Sequence, residues 1–133
     1  ARLGLPEPRV GLAAMAGVEH RLPRQIPLKI AMGYMLTGRH MTAQEALRLG
    51  IVNEVVPLKD LMATAERWAN EILECAPLSI RATKQAAMMG LGLPLDQALA
   101  GSYSATAEMM RSEDVKEGPT AFAEKRKPNW KAK

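Results

Sequence analysis

The residue best suited to chemistry is a glutamate between two prolines. Glu7 follows Pro6 and precedes Pro8. Proline lacks a backbone N–H donor and restricts φ, so the pair predicts a stiff, extended connection that presents the carboxylate. Apolar residues on both sides would disfavour the charged form of the carboxyl, as a general acid or base near neutral pH requires. The alternative is an ordinary surface glutamate in a proline-rich turn.

Histidine and cysteine offer little further chemistry. His20 and His40 have no second ligand at a spacing that suits a metal ion, so we expect no metal site. Cys75 is the only cysteine, which excludes a disulfide within the chain and is typical of a reducing compartment. This predicts a cytoplasmic protein, with the matrix of an organelle as the alternative.

Much of the net charge of +4 lies in the C-terminal tail, residues 125–133. Such a run is usually solvated, although it would also suit the phosphates of a nucleotide-bearing substrate or non-specific binding to nucleic acid. Phe122 and Trp130 are the only aromatic residues nearby, so nucleic acid is not an expected partner. The cations concerned are Lys125, Arg126, Lys127, Lys131 and Lys133.

The composition is that of a globular chain. Hydrophobic residues make up 47% and charged residues 24%, enough to bury one core but not two. No apolar run approaches the roughly 18–20 residues that span a bilayer, so no membrane partner is expected.

The hydrophobic spacing is mainly helical, with short strands predicted to end at Leu5 and to run over residues 51–56. The clearest local prediction is a helix capped by Thr42, with Glu45 completing a capping box and Gly50 just past the end. Ser112 is predicted to cap a short turn further on. The other predicted helices run from Ala14 to a stop at Pro23, from Pro27 to Gly38, from Leu58 to Leu73, from Pro77 to Met89, from Leu95 to Met110, and from a restart at Gly118-Pro119 through Phe122.

Several blocks of the chain together resemble the enoyl-CoA hydratase/isomerase (crotonase) family. They follow the family's order and spacing, and they cover nearly all 133 residues. Each block is weak alone, but the set is specific. The blocks are Gly4-Leu5-Pro6-Glu7-Pro8, Arg21-Leu22-Pro23-Arg24, Leu36-Thr37-Gly38-Arg39, Ala43-Gln44-Glu45-Ala46-Leu47, residues 50–57, Ala76-Pro77, Glu117-Gly118 and residues 121–126.

The resemblance implies an α/β crotonase-like fold, with a ββα spiral core, in the intact protein. Because family chains are longer, we expect this chain to be the C-terminal half, predominantly α-helical with one or two short strands. Residues 1–57 would end the spiral core and carry Glu7, and residues 58–133 would form a helical oligomerisation region. A homotrimer or a hexamer of two trimers is expected, and the isolated half should expose apolar surface.

The resemblance also implies roles for individual residues. Glu7 matches the second family glutamate, which would transfer a proton at the α-carbon or activate water. The first carboxylate and both oxyanion-hole amides would lie upstream. Many relatives have a glycine-rich run where this chain has residues 14–18. Met15 and Ala16 would contact the acyl group there, and the side chains of Met15 and Val18 would narrow or reshape its pocket. Phe122 and Lys125 would reach the adenine and a phosphate of coenzyme A on a neighbouring subunit, unless Phe122 simply anchors the last helix.

The implied function is an enoyl-CoA hydratase, a lyase that adds water across a 2-enoyl-CoA thioester. Coenzyme A would enter only as part of the acyl-CoA substrate, with no separate cofactor. One alternative is an isomerase or another acyl-CoA lyase, including one for branched or carnitine-derived acyl groups. An upstream glutamate would favour hydration, and its absence would favour isomerisation. The remaining alternatives are a helical assembly module without catalysis and a basic RNA-binding module whose affinity falls steeply with salt.

Overall fold

The computed structural model describes residues 1–133, which divide into two compact units, Ala1–Leu61 and Met62–Lys133. Helices dominate both units, and the strands are limited to one short antiparallel pair. The chain is therefore predominantly helical with two short strands, as predicted. None of its helices has the length and apolar character needed to cross a membrane.

The first unit places one strand pair among three α-helices. Its elements are β1 (Arg2–Leu3), a 3-10 turn (Glu7–Val10), α1 (Val18–Gln25), α2 (Leu28–Thr37), β2 (Met41–Thr42), α3 (Ala43–Arg48) and a second 3-10 turn (Leu58–Asp60). In the strand pair, Arg2 lies opposite Thr42 and Leu3 opposite Met41. The core lies beside this pair and consists of Tyr34, Met41 and Ala46, with Ile30, Leu49, Ile51 and Val52 packed against it.

The capping box at the start of α3 is confirmed. The Glu45 amide donates to the Thr42 hydroxyl oxygen over 3.2 Å, and the Glu45 carboxylate accepts from the Thr42 amide over 2.8 Å. Gly50 follows the helix with φ of 73°, as expected for a residue past the C-terminus. The Thr42 backbone amide lowers the pKa of Glu45 below its ordinary value. Strand β2 therefore passes directly into a helix whose first turn is satisfied by its own side chains.

Two predictions for the first unit are wrong. Helix α1 begins at Val18, not Ala14, because Gly17 has a left-handed φ of 88° that a helix cannot include. The helix also continues through Pro23 to Gln25: the proline removes one hydrogen bond, and the Arg24 guanidinium donates to the His20 carbonyl within the same turn.

Residues 51–56 form bends and irregular chain instead of a strand, because Ile51 packs on the core and no strand edge pairs with the segment.

The second unit consists almost entirely of helices. They are α4 (Leu61–Leu73, which begins at the last residue of the first unit), α5 (Pro77–Gly90), α6 (Leu95–Ala100), α7 (Ser104–Arg111) and α8 (Asp114–Ala123). Helix α5 packs on α6 and α7, and α7 packs on α8. Leu78 and Ala82 of α5 and Ala121 of α8 are buried. Many larger apolar side chains, such as Met62 and Leu73, are exposed, as predicted for the isolated half.

The predicted helix from Leu95 to Met110 is interrupted after Ala100. Gly101 is extended and is a poor helix former, and the Tyr103 hydroxyl donates to the Ala98 carbonyl over 2.8 Å. The next helix receives its cap from outside, because the Gln85 side-chain oxygen accepts from the Ala105 amide over 2.9 Å. A long-range side-chain contact therefore determines where α7 begins.

The predictions for Ser112 and Gly118-Pro119 are also wrong. The Ser112 hydroxyl donates back to the Met109 carbonyl over 2.7 Å, so it closes α7 and does not cap the next turn. Gly118 and Pro119 lie inside α8 and do not begin it. The indole of Trp130 lies against Gly118, so packing by the tail offsets the poor helix propensity of this pair.

The tail is docked on the second unit through its backbone and Trp130, while its five cations are exposed, as predicted for a solvated run. The side chain of Asp114 is buried and accepts from the Lys131 and Ala132 amides over 2.7 and 3.0 Å. The indole N–H of Trp130 donates to the Glu74 carbonyl over 2.8 Å. These contacts hold the backbone of the tail along α8 and at the end of α4.

Replacement of the Thr42 hydroxyl tests the capping box. Thr42→Ala should lower the free energy of unfolding of the full-length protein by about 0.5–2 kcal/mol. Here and below, the full-length protein is this chain together with any polypeptide encoded before or after it. Thr42→Ser keeps the acceptor oxygen and should remain close to wild type. Urea denaturation measures both, and equal stabilities of the two variants would contradict the assignment.

Docking of the tail should depend on pH through Glu117. The Arg126 guanidinium and then the Asn129 amide lower the pKa of Glu117 from 4.5 to about 2. Because the folded-state pKa is lowered, the stabilisation is fully present above pH 4.5 and is lost as the pH falls towards 2. The stability difference between wild type and Glu117→Gln, measured by urea denaturation, should therefore shrink across this range. A difference that does not change with pH would contradict the role of the Glu117 carboxylate.

Candidate active site

Glu7 lies in a tight turn and not in the extended connection predicted from its prolines. Pro6 has helical dihedral angles, φ −75° and ψ −7°, and begins the 3-10 turn Glu7–Val10. The Arg9 amide donates to the Pro6 carbonyl over 2.9 Å, and the Glu7 carbonyl accepts from the amides of Gly11 and Leu12. Both prolines suit this turn because their fixed φ fits it and neither N–H is needed within it.

The carboxylate of Glu7 is half-buried and incompletely paired. Its Oε2 atom is buried and has no hydrogen-bond partner within the chain. A buried polar atom without a partner costs about 1–3 kcal/mol, and such atoms are rare in folded proteins unless they have a function. Glu19 of the same unit also has such an oxygen, so this feature fits a role in proton transfer but does not single out Glu7 by itself. What distinguishes Glu7 is the proline-flanked turn that carries it.

The turn that carries Glu7 is fixed to the end of α2. The Arg9 guanidinium donates from Nε to the Thr37 carbonyl over 3.0 Å. Its side chain crosses Gly38, where an added Cβ would lie 2.9 Å from Arg9 Cγ, and the φ of Gly38 is 61°. Only glycine meets both requirements without strain. Arg9, which the sequence did not single out, therefore helps to position the candidate acid.

Met15 and Ala16 lie after this turn, just before α1. Met15 is 74% exposed, and Ala16 is also exposed. The Ala16 carbonyl accepts from the Arg21 guanidinium over 2.9 Å, and that guanidinium covers Gly17. The two residues are thus held at the surface of the first unit by their backbone, and their contact with an acyl group stays a prediction.

The first unit also contains an open apolar cavity of about 440 Å³. Sequence reasoning expected Val18 to reshape an acyl pocket, and Val18 does line this cavity. The other lining residues come from β1, β2, α1 and α2 and from the chain that follows β1, α2 and α3, so no single motif could have indicated them. They include Leu3, Leu5, Leu22, Tyr34 and Met41.

Phe122 and Lys125 lie at the end of α8 in the second unit. Phe122 is 88% exposed, whereas its neighbour Ala121 is buried, so Phe122 does not anchor the helix by packing. Lys125 is exposed and has a left-handed φ of 54°. An exposed ring and an exposed ammonium group therefore occur within one turn of chain, a combination that can bind a base and a phosphate.

The two histidines lie in different settings. His20 is 3.8 Å from the Glu19 carboxylate, and the ring of His40 lies against Gly4. No group of three or more His, Cys, Asp or Glu side chains is arranged to hold a metal ion.

Comparison with known proteins identifies the family of this chain. The enoyl-CoA hydratase/isomerase family matches the chain over residues 1–133. The chain belongs to this family, as the sequence blocks indicated, and it corresponds to the C-terminal half of the crotonase-like fold.

The individual relatives are enzymes of acyl-CoA thioesters. The chain is 40% identical over 131 residues to (E)-benzylidenesuccinyl-CoA hydratase of Thauera aromatica, covering 98% of this chain and 51% of that protein. It is 39% identical over 137 residues to carnitinyl-CoA dehydratase of Salmonella typhi, covering 100% and 52%. The crystal structure of an enoyl-CoA hydratase from Mycobacterium tuberculosis H37Rv superimposes with a TM-score of 0.93 at 35% identity, covering 100% and 53%. The chain thus spans about half the length of the relatives it matches.

Substitution of Gly17 tests the geometry that separates Met15 and Ala16 from α1. Gly17→Ala should lower the free energy of unfolding by about 1–2 kcal/mol, because alanine is strained at this φ. Its Cβ would also lie 2.8 Å from the Arg21 guanidinium. The matched control is Gly33→Ala within α2, where a Cβ meets nothing within 4 Å. That variant should be more stable than wild type by about 0.5–1 kcal/mol. Urea denaturation giving the same sign for both variants would contradict this account.

Proposed function

We propose that the full-length protein is an enoyl-CoA hydratase that adds water across a 2-enoyl-CoA thioester, with Glu7 as its general acid/base. The observation that carries the proposal is the buried, unpaired carboxylate oxygen of Glu7 in a turn fixed by Arg9. Membership of the enoyl-CoA hydratase/isomerase family supports the substrate class.

In the proposed reaction, a water molecule loses one proton as its oxygen bonds to the β-carbon, and the α-carbon gains one proton. Glu7 would handle one of these two proton transfers, and a carboxylate from the preceding half of the protein would handle the other. As the double bond is consumed, negative charge develops on the thioester oxygen. Two backbone amides from the preceding half would stabilise that charge, each typically contributing about 3–4 kcal/mol. No cofactor is required beyond the coenzyme A of the substrate.

The acyl group is proposed to be substituted or short, not a long straight chain. Met15 and Val18 occur where relatives have a glycine-rich run, and Val18 lines the apolar cavity of the first unit. The names of two relatives, (E)-benzylidenesuccinyl-CoA hydratase and carnitinyl-CoA dehydratase, also refer to substituted acyl groups. An isomerase or another acyl-CoA lyase is the alternative within the family.

The assembly is proposed to be a homotrimer or a hexamer of two trimers. Phe122 and Lys125 would contact the adenine and a phosphate of coenzyme A bound to a neighbouring subunit. The exposure of both side chains supports this role. The single cysteine, Cys75, which is exposed and free, supports a reducing compartment, the cytoplasm or an organellar matrix.

Replacement of Glu7 tests the proposed reaction. In the full-length protein, Glu7→Gln should lower turnover of a crotonyl-type thioester by about 10²–10⁴-fold, because the amide cannot exchange protons as an acid/base catalyst does. Its affinity for coenzyme A, measured by calorimetry, should remain near that of wild type. Loss of the enoyl-thioester absorbance reports turnover.

The matched control is Glu19→Gln. Glu19 also has a buried carboxylate oxygen without a partner, but it lies in α1 and not in the proline-flanked turn that carries Glu7. This variant should keep wild-type turnover. Unchanged turnover in Glu7→Gln would remove Glu7 from the mechanism. A wild type that converts 3-enoyl-CoA but does not hydrate 2-enoyl-CoA would establish the isomerase instead.

A further inference from the structure

The chain reverses direction at Lys125, immediately after α8. Phe122, the other side chain proposed to contact coenzyme A, lies just before the reversal, and the rest of the tail follows it. Helix α8 ends at Ala123, and the Arg126 amide donates back to the Ala121 carbonyl over 3.0 Å. Lys125 lies at this reversal with a φ of 54°. A left-handed conformation costs a residue other than glycine about 1–2 kcal/mol, so neighbouring contacts must stabilise it.

Arg126 provides the contacts that hold the reversal. Its two terminal nitrogens donate to the two oxygens of Glu117 over 2.6 and 3.0 Å, and its Nε donates to Glu124 over 2.6 Å. A bidentate pair of this kind fixes orientation as well as distance. Glu117 lies on α8 itself, so Arg126 joins the chain after the reversal directly to the helix before it.

The remainder of the tail is fixed on the far side of Arg126. Glu117 also accepts from the Asn129 amide over 2.7 Å, and buried Asp114 accepts from the Lys131 and Ala132 amides. Residue 125 is therefore held between a helix and a docked segment. By contrast, the Lys125 side chain forms no ion pair within the chain, and Phe122 is 88% exposed.

We propose that Arg126 and Glu117 are positioning residues that hold the Lys125 reversal, so that Phe122 and Lys125 face the nucleotide end of a CoA thioester. This inference rests on the proposed function, because it assumes an acyl-CoA substrate. It assigns a positioning role to the Arg126–Glu117 ion pair, which contacts neither the acyl group nor the reacting atoms. Its effect should therefore fall on substrate affinity and not on the chemical step.

Comparison of two substrates with Arg126→Ala tests the inference in the full-length protein. With crotonyl-CoA, the variant should show a KM raised about tenfold or more and an unchanged kcat, the pattern of lost uniform binding. With the crotonyl thioester of N-acetylcysteamine, which has no nucleotide, KM should change by less than about twofold. Calorimetric titration with free coenzyme A should show the same loss of affinity as crotonyl-CoA.

Two further variants separate positioning from charge. Lys127→Ala removes a positive charge one position later, from a side chain without a partner in this ion-pair network, and should leave both KM values unchanged. Arg126→Lys keeps the charge but not the planar fork that matches Glu117, so it should recover only part of the CoA affinity.

The outcomes distinguish the inference from the function on which it rests. An equal rise in KM for both thioesters would mean that Arg126 supports the fold alone, and it would overturn the positioning role. An effect of Lys127→Ala as large as that of Arg126→Ala would also overturn it, since charge alone would then be responsible. A wild type that turns over neither thioester would refute the proposed function. The coenzyme A titrations would then decide the positioning role, and it would be overturned if wild type and Arg126→Ala bind coenzyme A equally or not at all.

Discussion

The position of the Glu7 carboxylate depends on a hydrogen bond between a guanidinium and the carbonyl at the end of a helix. Arg9 donates to Thr37 across Gly38, and this contact fixes the 3-10 turn in which Pro6 and Pro8 enclose the acid. The turn leaves one carboxylate oxygen buried without a partner. Without the Arg9 contact, the turn would keep its prolines but lose its hydrogen bond to the end of α2. The proposed chemistry therefore depends on a residue that does no chemistry itself.

Local signals in the sequence were reliable where all the partners lie within a few residues. The Thr42–Glu45 capping box is such a case, because the donors and acceptors are all inside one helical turn. Pro23 and Pro119 show the opposite. Each lies inside a helix although proline is a helix breaker. In α1 the Arg24 guanidinium donates to the His20 carbonyl within the same turn, whereas in α8 the support comes from the tail, because Trp130 packs on Gly118. The β-branched segment over residues 51–56 formed no strand, since strand propensity has no effect without an edge to pair with.

In the candidate site, too, the sequence could indicate some features and not others. Glu7 could be singled out from its two flanking prolines, and Phe122 and Lys125 from a family resemblance. The conformation of the Glu7 turn could not be predicted, because the same prolines are compatible with an extended chain and with a 3-10 turn. The apolar cavity and the docking of the tail could not be predicted either. Both are formed by residues far apart in sequence, such as Glu74 with Trp130.

The most direct test of the central claim is a crystal structure of the full-length protein with butyryl-CoA, a saturated thioester that cannot add water. We expect a carboxylate oxygen of Glu7 about 3–3.5 Å from the acyl α-carbon or from a water molecule beside the β-carbon, the range of a reactive approach. A structure in which the acyl group binds elsewhere, with the Glu7 carboxylate facing bulk solvent, would contradict the account.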